Sequence, residues 1–413
     1  MLKYAIFPNG NMHIGNLYEA LLNYIVANQN NDSFLFSIED LDKNKIIEGS
    51  DAQFIDILKK FSIDTEQKIY QSEKLKTYQQ FAKKMVQNGS AFLCFCKKEG
   101  SCECLNLTQE DMQNRVQDNQ EFAIKVNKPS QNIEFSDTIK NSISFTPEQI
   151  GNFTIVNSNK IPTQELADAV DSMSTNITTI ITCEDKQLNS AKILHIQNLL
   201  GYTQQITYAH TAGFSEEDKN AFTIKSLFEQ GFLPDAIINY ILSINYPTPK
   251  ELFYLPDAIN WYDISKISNT KLHFSIEDLK KINKKHLVNM DSKKLSSIFG
   301  FADNDIGELL KLYLDNVSTI NELEDIFKSI FGKKDCTNKD ANNVKMLSDI
   351  ILKAPMINNY DQFEEYLIEN SSLSKEQLTK PLKYLLTGRF DGPELEVIFP
   401  LIKSYILEVA RCH

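Results

Sequence analysis

The chain has 413 residues, a length that suits two to four domains, with 42% hydrophobic and 24% charged residues. It shows neither a run of about 18 apolar residues nor a basic-then-apolar leader, so a cytoplasmic protein outside any membrane is expected. A net charge of −12 argues against an indiscriminate nucleic-acid binder, without excluding a nucleic acid held by local basic patches.

Residues 2–16, LKYAIFPNGNMHIGN, begin with apolar Leu2, Tyr4, Ala5 and Ile6, meet a breaker at Pro8-Asn9 and turn at Gly10. A helical pattern follows His13-Ile14-Gly15-Asn16, with Leu17, Leu21, Tyr24, Ile25 and Asn28 on or beside one face. A buried strand, a glycine turn and a helix N-terminus in succession make a phosphate site, because orphan N–H groups and the positive end of the helix dipole face the turn. Gly15 lets a ligand approach the backbone, and His13 can donate to a phosphate or ribose oxygen. On pattern alone, an ordinary strand–turn–helix with a surface histidine is an equal reading.

Residues 33–38, SFLFSI, read as a buried strand with Glu39, Asp40 and Asp42 at its C-terminal end, where open parallel sheets bind ligands. An exposed acidic loop is the other reading. Residues 51–62 and 74–88 read as amphipathic helices around a short strand and turn at 69–73. Four of the seven cysteines then fall together, as Cys94-x-Cys96 and Cys102-x-Cys104. In a cytosolic chain such a cluster favours metal over disulfides, and two thiolate pairs across a short loop suit a closed tetrahedral zinc site; reduced thiols are the alternative.

Residues 105–165 hold β-like pieces (EFAIKV, SISF, NFTIVN) among turn residues, as in a domain inserted into an α/β chain. The α/β character resumes over 166–201, where NITTIIT (176–182) is a buried strand ending in Cys183-Glu184-Asp185 and a helix follows. His195 lies in the apolar periodicity of that helix, as a packed residue rather than a ligand. From about 213 the pattern is helical, and beyond 291 amphipathic segments with short polar joints read as a helical bundle. Lys280, Lys281, Lys284 and Lys285, followed by Lys293 and Lys294, form either a basic patch or a solvated helix face.

Taken together and in this order, these strings resemble the glutamyl-tRNA synthetases, a branch of the class I aminoacyl-tRNA synthetases. His13-Ile14-Gly15-Asn16 after Ala-x-x-Pro-x-Gly resembles their HIGH signature, and FLFSIEDLD (34–42) its wider context. IPTQELADAVDS (161–172) is similar to the family's TPTYNFAVVVDD, and LKYLLTGRFDGPELEVIFPLI (382–402) to the last part of its anticodon-binding domain. The resemblance covers essentially the whole chain. It implies an α/β fold with a Rossmann-type catalytic domain at 1–90 and 166–212, and an inserted α+β acceptor-stem-binding domain at 91–165. A stem-contact helical region at 213–290 and an all-α anticodon-binding domain at 291–413 complete it. ATP with Mg and a structural zinc are the implied cofactors, tRNA and an amino acid the partners, and a monomer the expected state.

Roles carry over by position. The resemblance gives His13, Gly15 and Asn16 to catalysis, and Pro8, Gly10, His13, Gly15 and Lys219 to ATP. Lys3, Ala5, Phe7, Glu39, Gln164 and Thr182 fall to the amino acid, and Lys284, Lys285 and Arg389 to tRNA. For zinc the family has its last ligands further along, so the compact set Cys94, Cys96, Cys102 and Cys104 is itself a departure.

Two further elements depart from the family. Between His210 and Gly231, where it has the lysine-rich KMSKS loop as GKKLSKRHG, this chain reads TAGFSEEDKNAFTIKSLFEQ. Three consecutive acids precede Lys219, which with Lys225 is the available substitute, and acids repel a developing phosphate charge. The glutamate pocket also changes. Lys3 and Thr182 stand where the family has arginines, Phe7 replaces serine, Gln164 tyrosine and Glu165 asparagine, while Glu39 keeps the acid that meets the substrate amino group. Of 43 basic residues only Arg115, Arg389 and Arg411 are arginine, and lysine does not reproduce the arginine fork on a carboxylate. Such a loss favours a less acidic substrate, or none.

Two functions stay open on these grounds. One is ATP-dependent attachment of glutamate or a related amino acid to tRNA, with a degenerate ATP loop and pocket. The other is a catalytically inactive relative that binds tRNA or a partner protein. A ligase for a non-tRNA acceptor is disfavoured by the C-terminal domain.

Overall fold

The structure, a computed structural model, describes every residue except 64, 66, 97–101, 336–340 and 413, and of 341 only the backbone. The chain divides into two units, Met1–Ser226 with Ile238–Phe274, and Leu227–Ile237 with Ser275–His413.

In the first unit, β1 (Leu2–Ile6) pairs in parallel with β2 (Phe34–Ile38), from Leu2 against Phe34 to Ile6 against Ile38. A parallel strand is covered on both faces, which is why both segments are almost continuously apolar; Leu2, Tyr4, Ile6, Phe36 and Ile38 are buried. The crossover is α1 (Ile14–Gln29), buried at Leu17, Leu21 and Ile25 as expected. Its inner face also takes Tyr18 and Leu22, so Tyr24 is only half-buried and Asn28 is exposed.

After α2 (Ser50–Lys60), β3 (Lys68–Tyr70) extends the sheet beyond β2. Next come α3 (Leu75–Gln87), β4 (Ala91–Cys94), α4 (Gln109–Gln117) and β5 (Ala123–Val126). A hairpin of β6 (Ile133–Asp137) and β7 (Asn141–Phe145) leads through α5 (Pro147–Ile150) to β8 (Phe153–Val156). The unit continues with α6 (Gln164–Ser174), β9 (Thr179–Cys183), α7 (Gln187–Leu199), β10 (Thr207–Thr211) and α8 (Glu216–Ala221). The large sheet runs β3-β2-β1-β9-β10-β6-β7, and β4-β5-β8 form a separate antiparallel sheet. Strand order reverses between β1 and β9, and the cleft opens at the carboxyl ends there, as in doubly wound sheets generally.

The stretch 91–165, expected as one inserted piece, is thus divided between two sheets. The reason lies in a buried polar tie. Asp137 accepts the N–H groups of Ile139, Lys140 and His210 and pairs with His210 Nδ1 at 2.7 Å, while His210 Nε2 meets Ser190 Oγ at 3.0 Å. These bonds fasten β6 to β10 and α7. The polar helix α4, read as turn-rich sequence, is set by Thr108, which caps Asp111 N–H and is capped in return. His195 is packed as expected, with Nε2 2.8 Å from Asn127 O.

The second unit is built from helices, among them Ile276–Asn289, Ile320–Phe331, Tyr360–Ser371, Lys375–Thr387 and Leu395–Ile402. Leu295, Leu309, Leu323, Leu347, Leu367, Leu385 and Phe399 lie in its core. The helix Lys375–Thr387 ends at Gly388 with φ 69°, and a Cβ there would lie 2.2 Å from Ser329 O, so the Leu-Thr-Gly string is a helix stop that only glycine fits. The described residues of 291–413 form helices and their joints within the second unit, and the region 213–290 is shared between the units. No helix among the described residues is long and apolar enough to cross a membrane.

Candidate active site

The turn after β1 is pinned from outside: Ile47 N–H donates to Pro8 O at 3.0 Å, and Ser50 Oγ donates to Gly10 O. Then α1 opens on a reciprocal cap. Asn16 N–H donates to His13 Nδ1 at 3.1 Å, and His13 N–H donates to Asn16 Oδ1 at 3.1 Å. Because Nδ1 is an acceptor here, the proton of the neutral ring is assigned to Nε2, the nitrogen left for a ligand. Burial, reinforced by the charge of Lys219, pushes His13 down to about 4, so the ring is neutral at ordinary pH. Gly15 has a different reason for being glycine than backbone freedom. A Cβ there would press within 3.2 Å of the His13 ring.

The segment with no recognisable lysine loop folds back onto this turn. Ile14 N–H donates to Phe222 O at 3.2 Å, Ile224 N–H donates to Met12 O at 2.8 Å, and His13 bridges Thr223. This places Lys219 of α8 over Gly15, with its Cε 3.7 Å from the point a Gly15 Cβ would occupy. Glu216 holds the ammonium at 2.8 Å from the solvent side. Lys225 is exposed and lines neither cavity described next, and Pro8 and Gly10 shape the turn without lining it.

Two cavities adjoin. The larger, about 280 Å³, is bounded by Phe7, His13, Gly15, Asn16, Asp185 and Lys219. The smaller, about 150 Å³, is bounded by Lys3, Gln164, Asp168 and Thr182. Ala5, Glu19, Glu39 and Lys186 line both. Phe7, assigned from sequence to the amino acid, therefore borders the larger cavity alone.

Lys3 is buried in the smaller cavity, its Nζ 2.5 Å from Asp168 Oδ1. Burial alone would lower its pKa, but the carboxylates of Asp168, Asp171 and Glu39 outweigh that and hold it above the usual lysine range. Asp168 Oδ1 also accepts Gln71 Nε2 and Gln164 Nε2, each at 3.0 Å. Burial pushes Glu39 up to about 7, with Asp168 and Glu19 adding to the effect and Lys186 and Lys3 opposing it. Asp168 was missed from sequence. Its signal was present, since in IPTQELADAVDS it stands where TPTYNFAVVVDD has a valine.

Outside the cleft, the four cysteine sulfurs lie within 4.8 Å of one another. Cys94–Cys102 and Cys96–Cys104 are each 3.5 Å apart and Cys96–Cys102 3.8 Å, close to the roughly 3.8 Å edge of a tetrahedron with Zn–S bonds of about 2.3 Å. The donor set and its spacing fit zinc; the loop joining the pairs, 97–101, is outside the described residues.

In the second unit four of the candidate basic residues meet an acid or a carbonyl. Lys280 pairs with Glu277 at 3.3 Å, Lys281 with Asp278 at 2.7 Å, Lys284 Nζ donates to Asp315 O at 2.8 Å, and Lys285 is half-buried. Arg389 Nε donates to Asp391 Oδ1 at 3.3 Å.

Residues 2–282 match the family model described as tRNA synthetases class I (E and Q), catalytic domain. The chain is 40% identical to a glutamate--tRNA ligase 2 of a Sulfurovum species, covering 99% of this chain and 100% of the relative. It is 37% identical to a glutamate--tRNA ligase 1 of a Nitratiruptor species, over the full length of both. Among solved structures, a glutamate tRNA ligase of Elizabethkingia meningosepticum superposes with a TM-score of 0.78 at 18% identity, covering 99% of this chain and 98% of that one, a likeness of fold.

Proposed function

The chain belongs to the class I tRNA synthetases of the glutamate and glutamine branch as a glutamyl-tRNA synthetase-family protein, and we propose that it is an active ATP-dependent ligase that attaches glutamate or a related amino acid to tRNA. The observation that carries this reading is Lys219, set over Gly15 beside the neutral His13 where a cation for the phosphates is required.

In this reading ATP occupies the larger cavity, and a magnesium ion bound with it would neutralise part of its phosphate charge. The amino acid occupies the smaller, its ammonium against Glu39. One oxygen of the amino-acid α-carboxylate attacks the α-phosphorus, pyrophosphate leaves, and a ribose hydroxyl at the tRNA 3′ end then displaces AMP from the acyl carbon. The chain's task is to hold and neutralise charge rather than to move protons. His13 Nε2–H and the Gly15 N–H at the start of α1 donate to phosphate oxygens, and Lys219 supplies the positive charge. A zinc on Cys94, Cys96, Cys102 and Cys104 would hold the ends of their loop; four thiolates leave no open position, so its role is structural.

The β4-β5-β8 sheet takes the acceptor stem, and the helical unit, with Lys284, Lys285 and Arg389, takes the rest of the tRNA. The protein works in the cytoplasm as a monomer. Charging of total tRNA with labelled glutamate or glutamine tests the proposal, and label stably attached to tRNA is the expected result. Intact tRNA binding without charging by any amino acid would leave the alternative, a synthetase fold kept for holding tRNA or a partner protein.

A further inference from the structure

The charges around the smaller cavity are already matched in pairs. Lys3 is bound to Asp168 at 2.5 Å, and Lys186 lies 3.7 Å from Glu19. Glu39 remains, suited to the ammonium of an amino acid. Thr182 is neutral. Among the described residues, no cation lining this cavity is therefore left without an acid to receive a second carboxylate, the one on a glutamate side chain. A carboxylate reaching for Lys3 would have to lie beside Asp168, and two like charges on one cation in a buried site repel.

A primary amide meets the same pair differently. Lys3 spends one of its three N–H donors on Asp168, so its Nζ can still donate to an amide oxygen. On Asp168, Oδ1 is taken by Lys3, Gln71 and Gln164, whereas Oδ2 accepts no hydrogen bond among the described residues. That oxygen is an acceptor for an amide N–H. A lysine donor next to a carboxylate acceptor complements a carboxamide and mismatches a carboxylate.

We propose that this pocket selects an amino acid with a primary-amide side chain, glutamine, over one with a carboxylate side chain, and that Asp168 sets the choice by contacting that amide. The inference rests on the reading of the smaller cavity as the amino-acid site.

The test uses two unreactive adenylate mimics, the sulfamoyl-adenosine derivatives of glutamine and of glutamate. Each is titrated calorimetrically into the full-length, metal-loaded protein with total tRNA present. The glutaminyl mimic should bind about a hundredfold more tightly or better, because the carboxylate leaves Asp168 Oδ2 unpaired and repelled. In Asp168→Val, Lys3 is released for the carboxylate, and the preference should shrink at least about tenfold through tighter glutamyl and weaker glutaminyl binding. Asp168→Asn, equal in size, is the second variant should the valine form fail to fold, and it too should narrow the ratio. Equal or tighter binding of the glutamyl mimic to the native protein overturns the selectivity and leaves the site assignment standing. An unchanged ratio in a folded variant overturns the role of Asp168. If neither mimic binds, the cavity is not the amino-acid site and both readings fall together.

Discussion

His13 accepts the backbone N–H of Asn16 on Nδ1 at 3.1 Å, so the histidine facing the cleft is also the cap of the helix behind it. Replacing it by alanine should therefore remove a cap worth about 1 kcal/mol as well as a phosphate donor. The native ring takes a proton only near pH 4, against its ordinary 6.5. Between those values the unfolded chain binds more protons, so the contribution of His13 is complete above pH 6.5 and is lost as pH falls toward 4. Urea unfolding at pH 7 and pH 5 should show the native protein losing more stability over that interval than His13→Ala does. Equal losses would argue against a neutral, capping His13.

Glu39 gives a pH dependence of the opposite kind. Burial, with Asp168 and Glu19 nearby, lifts it to about 7 despite Lys186 and Lys3. A carboxylate must be present to hold the substrate ammonium, so amino-acid affinity should weaken by up to about tenfold per pH unit below 7. Folding carries the reverse sign, since the native state keeps a proton between the ordinary 4.5 and about 7, and this group's stabilisation fades as pH rises through that range. Amino-acid titrations from pH 6 to pH 8 should show the slope in the native protein. Glu39→Gln should bind weakly with a flat profile, and a retained slope would place the titrating group elsewhere.

In the proposed function Lys219 supplies the charge that the family's lysine-rich loop supplies elsewhere. Lys219→Ala should slow pyrophosphate exchange by about a hundredfold or more, the usual loss for one donor aimed at developing charge. Glu216 competes for the same ammonium at 2.8 Å, so Glu216→Gln should tighten ATP binding, and should do nothing once Lys219 is gone. Exchange untouched by Lys219→Ala would remove the lysine from the mechanism.

The cysteine cluster should carry about one zinc per chain by elemental analysis of protein purified without chelator. Cys102→Ser should lose that metal and melt at a lower temperature, because metal bound only by the folded state adds to its stability. Metal-free native protein would reduce the cluster to packed thiols.

Much of this architecture could be read along the chain wherever the determinant is local. The apolar runs of β1 and β2, the His13–Asn16 turn and the paired cysteines announce themselves in consecutive residues. What escaped depends on residues far apart. The β6–β7 hairpin joins the large sheet through Asp137 and His210, 73 positions apart. Lys219 reaches the turn only because the chain around Phe222 bonds to Ile14. Asp168 meets Lys3, 165 positions earlier, only in the folded chain, at 2.5 Å.

The measurement to make first is ATP–pyrophosphate exchange with glutamate and with glutamine, each with total tRNA and the metal-loaded protein. An active ligase built around His13, Lys219 and Glu39 gives exchange above background with at least one of the two, and loses it in Lys219→Ala. No exchange with these two or with any other amino acid, from protein that still binds tRNA, would contradict an active ligase and mark the fold as a tRNA-holding relative of the enzyme.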